Sequence, residues 1–302
     1  MIEGQNGLTW ARWKRLVPAV EALGFAGLYR SDHFTNASPP DKDSLELWVS
    51  LTWLATHTKR LQFGPLVTPA SFRHPAMTAR MASAVDDLSG GRLTLGVGAG
   101  WQEREHTLFG FDLLDLRGRF ARFRESLEVM TRLLQAEKPV TWRGTYFRLQ
   151  EAILLPRPQR PGGPPILVGG NGVAKTLALA ARYAHEWNAV IIPSARFHEL
   201  SARLDMLVKE HGRSPSAVRR SMMTGCLFGQ TDKDVAEKLQ GRAADELRAR
   251  GLVVGTPSAI VDQLGRLAEA GVQRVMLQWL DLDDLDGLEA MAKVVLPVYR
   301  TH

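Results

Sequence analysis

Asp32 and His33 stand side by side directly after a short apolar run, and they form the strongest polar pair in the sequence. A histidine so placed gives or takes a proton near neutral pH, and an adjacent carboxylate orients it or raises its basicity. The same two residues would also serve as plain loop caps. Glu3, Glu103 and Asp281 are further carboxylates able to make an acid/base pair of the glycosidase or isomerase kind, with separations that sequence does not fix.

Two glycine runs accompany the pair. Gly169-Gly170-Asn171-Gly172 follows a strand and opens a helix, where backbone N–H groups can hold a phosphate against the helix's positive end. It is not a P-loop, because Ala174 precedes Lys175-Thr176, and Lys175 also spoils a dinucleotide fingerprint. A tight corner explains the run as well. Gly96, Gly98 and Gly100 lie within a strand, which glycine weakens, so the run implies either a flat ligand against the backbone or small residues filling a barrel interior. Metal and nucleophile chemistry find little support. The eight histidines show no H-E-x-x-H spacing, one cysteine cannot build a sulfur-rich zinc site, and there is no G-x-S-x-G elbow. Cys226, inside the apolar stretch 222–228, reads as core.

The elements that must position these groups alternate along the chain. Strands are expected at Ile2–Gly4, Phe25–Tyr29, Leu61–Thr68, Leu93–Gly100, Ile166–Gly170, Trp187–Ile192, Arg219–Gly229 and Val272–Trp279. Helices fill the gaps. The first runs from a Thr9 cap to a Gly24 stop and is kinked at Pro18; others span Leu45–Thr58, Pro75–Leu88, Arg117–Ala136, Val173–Ala184, Phe197–His211, Asp232–Arg250 and Pro257–Ala270. Eight strand–helix units imply a parallel sheet closed into a (β/α)8 TIM barrel, with insertions after strands 4 and 7. An open doubly wound sheet is the competitor. Residues 101–116 read as an inserted helix and loop, and 140–147 as a hairpin before a Pro-rich run. Carboxyl ends of barrel strands face the site. That rule selects Glu3, Gln5, Asp32, His33, the loop 65–69, Gly98 to Trp101, Gly169 to Gly172, Ile192-Pro193, Gly229 and Gln278 to Asp281.

The 302 residues are 45% hydrophobic and 23% charged, with a formal charge of +6 and one cysteine. This excludes disordered, collagenous and disulfide-scaffold classes. A chain of this length buries about 75% of its unfolded surface without crosslinks. One cysteine, no signal-like start and no apolar window of membrane length point to a cytoplasmic protein with no membrane role. Arg117, Arg119, Arg122 and Arg124 alternate with Phe120 and Phe123 as a solvated face beside a core stripe, so no nucleic-acid partner is expected.

Ser31-Asp32-His33-Phe34, Gly64 to Pro69 with Phe72-Arg73-His74-Pro75, Leu88 to Leu93, Gly96 to Trp101 with Glu103 and His106, and Ile166 to Gly170 occur in order along nearly the whole chain. Together they resemble the bacterial luciferase-like oxidoreductases, most closely the branch that uses the deazaflavin coenzyme F420. The resemblance implies one barrel domain over residues 1–302, a homodimer, and a hydride moved between the deazaflavin C5 and a small organic substrate. It implies that His33 manages the proton, with Glu3 as a second polar group near the substrate, and that Asp32 contacts the cofactor. It also implies a non-prolyl cis peptide behind the ring, at Leu66-Val67 or Val67-Thr68. Ala99 and Gly100 would offer backbone N–H groups, and Gly169, Gly170 and Asn171 would hold the cofactor's phosphate end. The basic balance suits a cofactor with a phosphate and a polyglutamate tail.

Two departures bear on the substrate. F420-dependent sugar-phosphate dehydrogenases carry a glutamate where this chain has Trp101, and a tryptophan where it has Ala37. The difference favours an apolar or aromatic substrate. An FMN-dependent monooxygenase of the same superfamily is the nearest alternative, followed by a cofactor-free barrel hydrolase or isomerase.

Overall fold

The computed structural model describes residues 1–299. Its first helix, α1 (Trp10–Leu23), is set by local chemistry. Thr9 accepts the Arg12 N–H at one end, Gly24 with φ 88° ends the other, and Trp13, Leu16, Val17 and Val20 are buried on one face. The helix continues through Pro18, whose exposed face leaves the orphaned carbonyl to water.

The wall is a circle of parallel strands. β1 (Gly27–Arg30) pairs with β2 (Gln62–Pro65), while the two-residue β3 (Thr68–Pro69) lies beside the end of β4 (Leu95–Gly98). A bridge between Phe63 and Leu93 joins β2 to the β4 segment. An antiparallel hairpin, β5 (Val140–Arg143) and β6 (Arg148–Ala152), stands apart from the wall. The wall resumes with β7 (Ile166–Gly169), β8 (Glu186–Val190) and β9 (Arg219–Phe228). β10 (Val253–Gly255) pairs with the far half of β9, and β11 (Arg274–Gln278) with its near half. Met1 and Ile2 close the circle. The Met1 amine donates to Leu277 O at 2.9 Å, Trp279 N–H to Met1 O, Ile2 N–H to Tyr29 O and Ser31 N–H to Ile2 O.

Around the wall run α2 (Leu47–His57), α3 (Pro75–Leu88), α4 (Glu103–Phe109), α5 (Leu116–Gln135), α6 (Thr176–Tyr183), α7 (Ser194–Glu210), α8 (Asp232–Leu239), α9 (Ala244–Ala249), α10 (Pro257–Glu269) and α11 (Leu285–Tyr299). A large apolar layer lies between wall and helices, and Tyr29, Leu66, Leu167, Met223 and Met276 form a smaller cluster inside the wall. No helix among the described residues is long and apolar enough to cross a membrane.

Expectation and structure differ in several places. The strand expected at Ile2–Gly4 is a single bridge from Ile2 to Arg30, and the one expected over Leu61–Thr68 is two, β2 and β3. The helix expected over 232–250 is two, broken where Gln240 (φ 52°) and Gly241 (φ 81°) turn left-handed. The short β10 was not foreseen. Nor was α11, although Leu288, Met291, Ala292 and Val295 bury at helical spacing. Of the four arginines, Arg117 and Arg124 are exposed, but Arg119 and Arg122 fold back onto the carbonyls of Leu114 and Leu113 and tie down the loop before α5.

Candidate active site

Asp32 and His33 leave the end of β1 together and enter different networks. The Asp32 side chain is buried, accepts from Thr68 Oγ1 at 2.6 Å and faces the Arg73 guanidinium at 2.5 Å. Arg73 also holds Glu46 at 2.9 Å. Burial alone would lower the guanidinium's pKa; Asp32 and Glu46 outweigh it and raise it. Asp32 is thus a fixed, paired charge beneath the rim.

His33 turns to α4. Its Nδ1 lies 2.8 Å from Oε1 of Glu105, whose other oxygen accepts the Phe34 N–H at 3.0 Å. Glu105 is 0% exposed. A carboxylate on Nδ1 fixes the proton there and leaves Nε2 as the working nitrogen. Burial pulls the His33 pKa down, but the hydrogen bond and charge of Glu105, with the charges of Glu3 and Asp32, outweigh it, so the net shift is upward from 6.5. The Trp101 ring stands edge-on to the imidazole at 5.7 Å and is 62% exposed. His106, the residue after Glu105 in α4, is engaged at both nitrogens: Nδ1 donates to Gln102 O at 2.7 Å and Nε2 accepts from Ser71 Oγ at 2.7 Å.

Of the other carboxylates, Glu3 is half-buried and accepts from Gln5 and Gln278 at 2.9 and 2.6 Å. Glu103 and Asp281 are exposed. Sequence reading passed over Glu105 and gave Arg73 no role. Glu105 lies 72 positions from His33, and its only local signal is a place in the acidic first turn of α4.

The opposite side of the mouth is made of backbone. The cis peptide falls at Leu66-Val67. Leu66 is buried and Val67 half-buried in the inner cluster. A Cβ on Gly96 would lie 2.1 Å from Pro65 O, one on Gly98 2.7 Å from Val67 Cγ2, and one on Gly169 3.1 Å from Val67 Cγ1. The glycines of β4 and β7 therefore make room for the 65–67 segment. Ala99 is half-buried beside Gly100, which has φ 85° and whose carbonyl accepts from Arg119 at 3.3 Å.

At the turn after β7 the Gly170 N–H is already donated to Asn188 O at 2.9 Å, and the Asn171 side chain clasps the Val190 N–H and C=O at 2.9 and 2.8 Å. The amides left for an anion are those farther along, toward the start of α6. A Cβ on Gly172 would sit 2.8 Å from Thr176 Oγ1, so a side chain here would have to displace that hydroxyl. Lys175 lies over the Phe120 ring at 5.2 Å, and the buried Arg119 Nε has no hydrogen-bond partner among the described residues. The glycine cradle and the neighbouring Lys175 suit the phosphate end of a cofactor.

A model of the luciferase-like monooxygenase family matches residues 2–244. The 4-hydroxyprotoasukamycin monooxygenase of Streptomyces nodosus subsp. asukaensis is 33% identical over 69% of this chain, a stretch that spans 56% of that protein. The F420-dependent glucose-6-phosphate dehydrogenase of Kineococcus radiotolerans is 34% identical over 93% of this chain and 82% of its own. Among solved structures, an F420-dependent secondary alcohol dehydrogenase superposes with a TM-score of 0.85 at 21% identity, covering 100% of this chain and 99% of that one.

Proposed function

Because the chain belongs to the luciferase-like monooxygenase family, we propose that it is an oxidoreductase that binds coenzyme F420 and moves a hydride between that cofactor and a small apolar or aromatic substrate. The observation that carries this reading is His33, its Nδ1 held by the buried Glu105 and its Nε2 left for proton transfer at the barrel mouth.

Bound there, F420 supplies a carbon that accepts or gives a hydride. The protein's share is placement and proton handling. His33 Nε2 takes the proton of a substrate hydroxyl in the oxidative direction and returns it to the oxygen in the reductive one, while Glu105 holds the imidazolium. Leu66 and Val67 offer an apolar ridge to a flat ring, and Asp32, locked by Thr68 and Arg73, sets the charge beside it. Ala99 and Gly100 offer backbone, while the amides beyond Asn171, toward the start of α6, take the phosphate together with Lys175. Glu3 adds a polar group near the substrate. Phe34, which is 38% exposed and packs against Phe72, Phe109 and Phe111, joins Trp101 in an aromatic rim suited to an apolar substrate.

Fluorescence titration of the purified protein with F420 and with FMN tests the reading. Micromolar F420 binding is expected; FMN binding without F420 binding refutes it. A flavin-dependent monooxygenase is the second reading, favoured by the 33%-identical monooxygenase relative. A cofactor-free barrel enzyme would bind neither.

A further inference from the structure

The chain leaves β8 in a shape that its residues do not favour. Among the described residues four that are not glycine have a left-handed φ, and of these Ile191, at 44°, alone is β-branched. A branched Cβ is crowded by the neighbouring carbonyl in that conformation, so it persists only where the surroundings impose it. Here they do so from three directions. On the β7 side the Asn171 amide stands in for a strand, its Oδ1 accepting the Val190 N–H at 2.9 Å and its Nδ2 donating to Val190 O at 2.8 Å. On the β9 side Met223 O accepts the Ile191 N–H at 2.9 Å. Beyond, Gly251 leaves room for the carbonyl that follows, since a Cβ there would lie 2.4 Å from both Ile192 C and O.

The imposed turn redirects one side chain. Along β8 the side chains alternate as a strand requires: Trp187 and Ala189 pack in the outer layer, Asn188 reaches inward to Met276 Sδ, and Val190 joins the inner cluster. Ile191 should then point outward. Instead it packs half-buried on the inner cluster, beside Val190 and with Val67. Its place in the wall gives this a use. Counted from β1 through β2, β4 and β7, β8 is the fourth neighbour, and counted the other way through Met1-Ile2, β11 and β9 it is the fourth again. Ile191 therefore stands across the barrel mouth from His33.

We propose that Ile191 is the apolar stop that limits the group a substrate carries on the side away from His33, and that Asn171 is the positioning residue that holds it there. The inference rests on the hydride-transfer reading above. With a substrate hydroxyl at His33 Nε2, the substituents of its carbinol carbon extend across the mouth, and the far one meets Ile191. The substrate class is then an alcohol, or the matching carbonyl compound, with a short apolar group at that end. Glycine would fit the backbone at this position without strain but would leave the stop without a side chain.

Full-length Ile191→Gly, Ile191→Ala and Asn171→Ala test this with F420 and the series 2-propanol, 2-butanol, 2-hexanol and 2-octanol, each oxidised by passing its carbinol hydride to F420 and its hydroxyl proton to His33. Both Ile191 variants should raise the kcat/KM ratio of 2-octanol to 2-propanol at least about 10-fold, and Asn171→Ala should move it the same way with Ile191 in place. Ile191→Gly should also melt about 2 °C or more above Ile191→Ala, although its side chain is the smaller. An unchanged ratio in the Ile191 variants removes the stop. An equal fall across the series in Asn171→Ala, or equal Tm values for the two Ile191 variants, removes the positioning role. F420 binding with no alcohol of the series oxidised overturns the substrate class and leaves the cofactor reading standing, whereas absence of F420 binding overturns that reading and this proposal with it.

Discussion

The two sides of the barrel mouth are built by opposite means. At the end of β1, charged side chains are buried and paired: Asp32 with Arg73 and Thr68, His33 with Glu105. At the ends of β4 and β7, side chains are missing, and Gly96, Gly98 and Gly169 let the 65–67 segment lie against bare backbone. The charged side tunes a proton; the bare side sets a shape. A substitution on the first should act through protonation and respond to pH, whereas one on the second should act through overlap and be indifferent to pH.

The largest effect is expected at Gly96→Ala. Its Cβ would meet a backbone oxygen at 2.1 Å, which cannot rotate away, so a loss of about 3 kcal/mol or more is expected, read from urea unfolding at pH 6 and pH 8 with the same result. At Gly98 the obstacle is a side chain, so Val67→Ala should recover part of the cost of Gly98→Ala, and a double-mutant cycle with no coupling would dissolve the shape argument.

Glu105→Gln comes next. The amide keeps a hydrogen bond but loses the charge, and we expect kcat/KM to fall about 100-fold while NMR shows the His33 pKa moving down. The sign for stability follows from the raised pKa of His33. The pair's contribution is full below 6.5 and is lost as pH rises through the folded value. The stability gap between the natural protein and His33→Asn should therefore be wider at pH 5.5 than at pH 9. Asp32→Ala removes the partner of a largely buried guanidinium that still keeps Glu46, and should cost about 2 kcal/mol, checked by thermal unfolding. Gly169→Ala is the mildest. Its Cβ would sit 3.1 Å from a methyl that can shift, so about 1 kcal/mol or less is expected.

The bare side was far more legible in the sequence than the charged one. Glycine runs are local, as are the Thr9 cap and Gly24 stop of α1 and the bounds Pro75–Leu88 of α3, which match expectation at both ends. Asp32 and His33 were also visible, because they follow a strand. Their partners were not: Arg73 and Glu105 arrive from 41 and 72 positions away, and no spacing rule links them. The glycine turn after β7 was legible as a turn, yet Gly170 and Asn171 spend their polar groups on β8, a pairing that only the folded wall reveals. The end of α8 was missed because Gln240, not glycine, takes the first left-handed position.

Glu105 belongs to the inserted helix but grips two consecutive residues of the β1 loop, the His33 ring with one oxygen and the Phe34 amide with the other. A proton on the imidazole tightens the first grip. Docking of α4 and proton uptake by His33 are therefore linked equilibria, each favouring the other by the same factor. Anything that seats the aromatic rim raises the histidine's hold on its proton, and anything that takes the proton away loosens the rim by an equal amount.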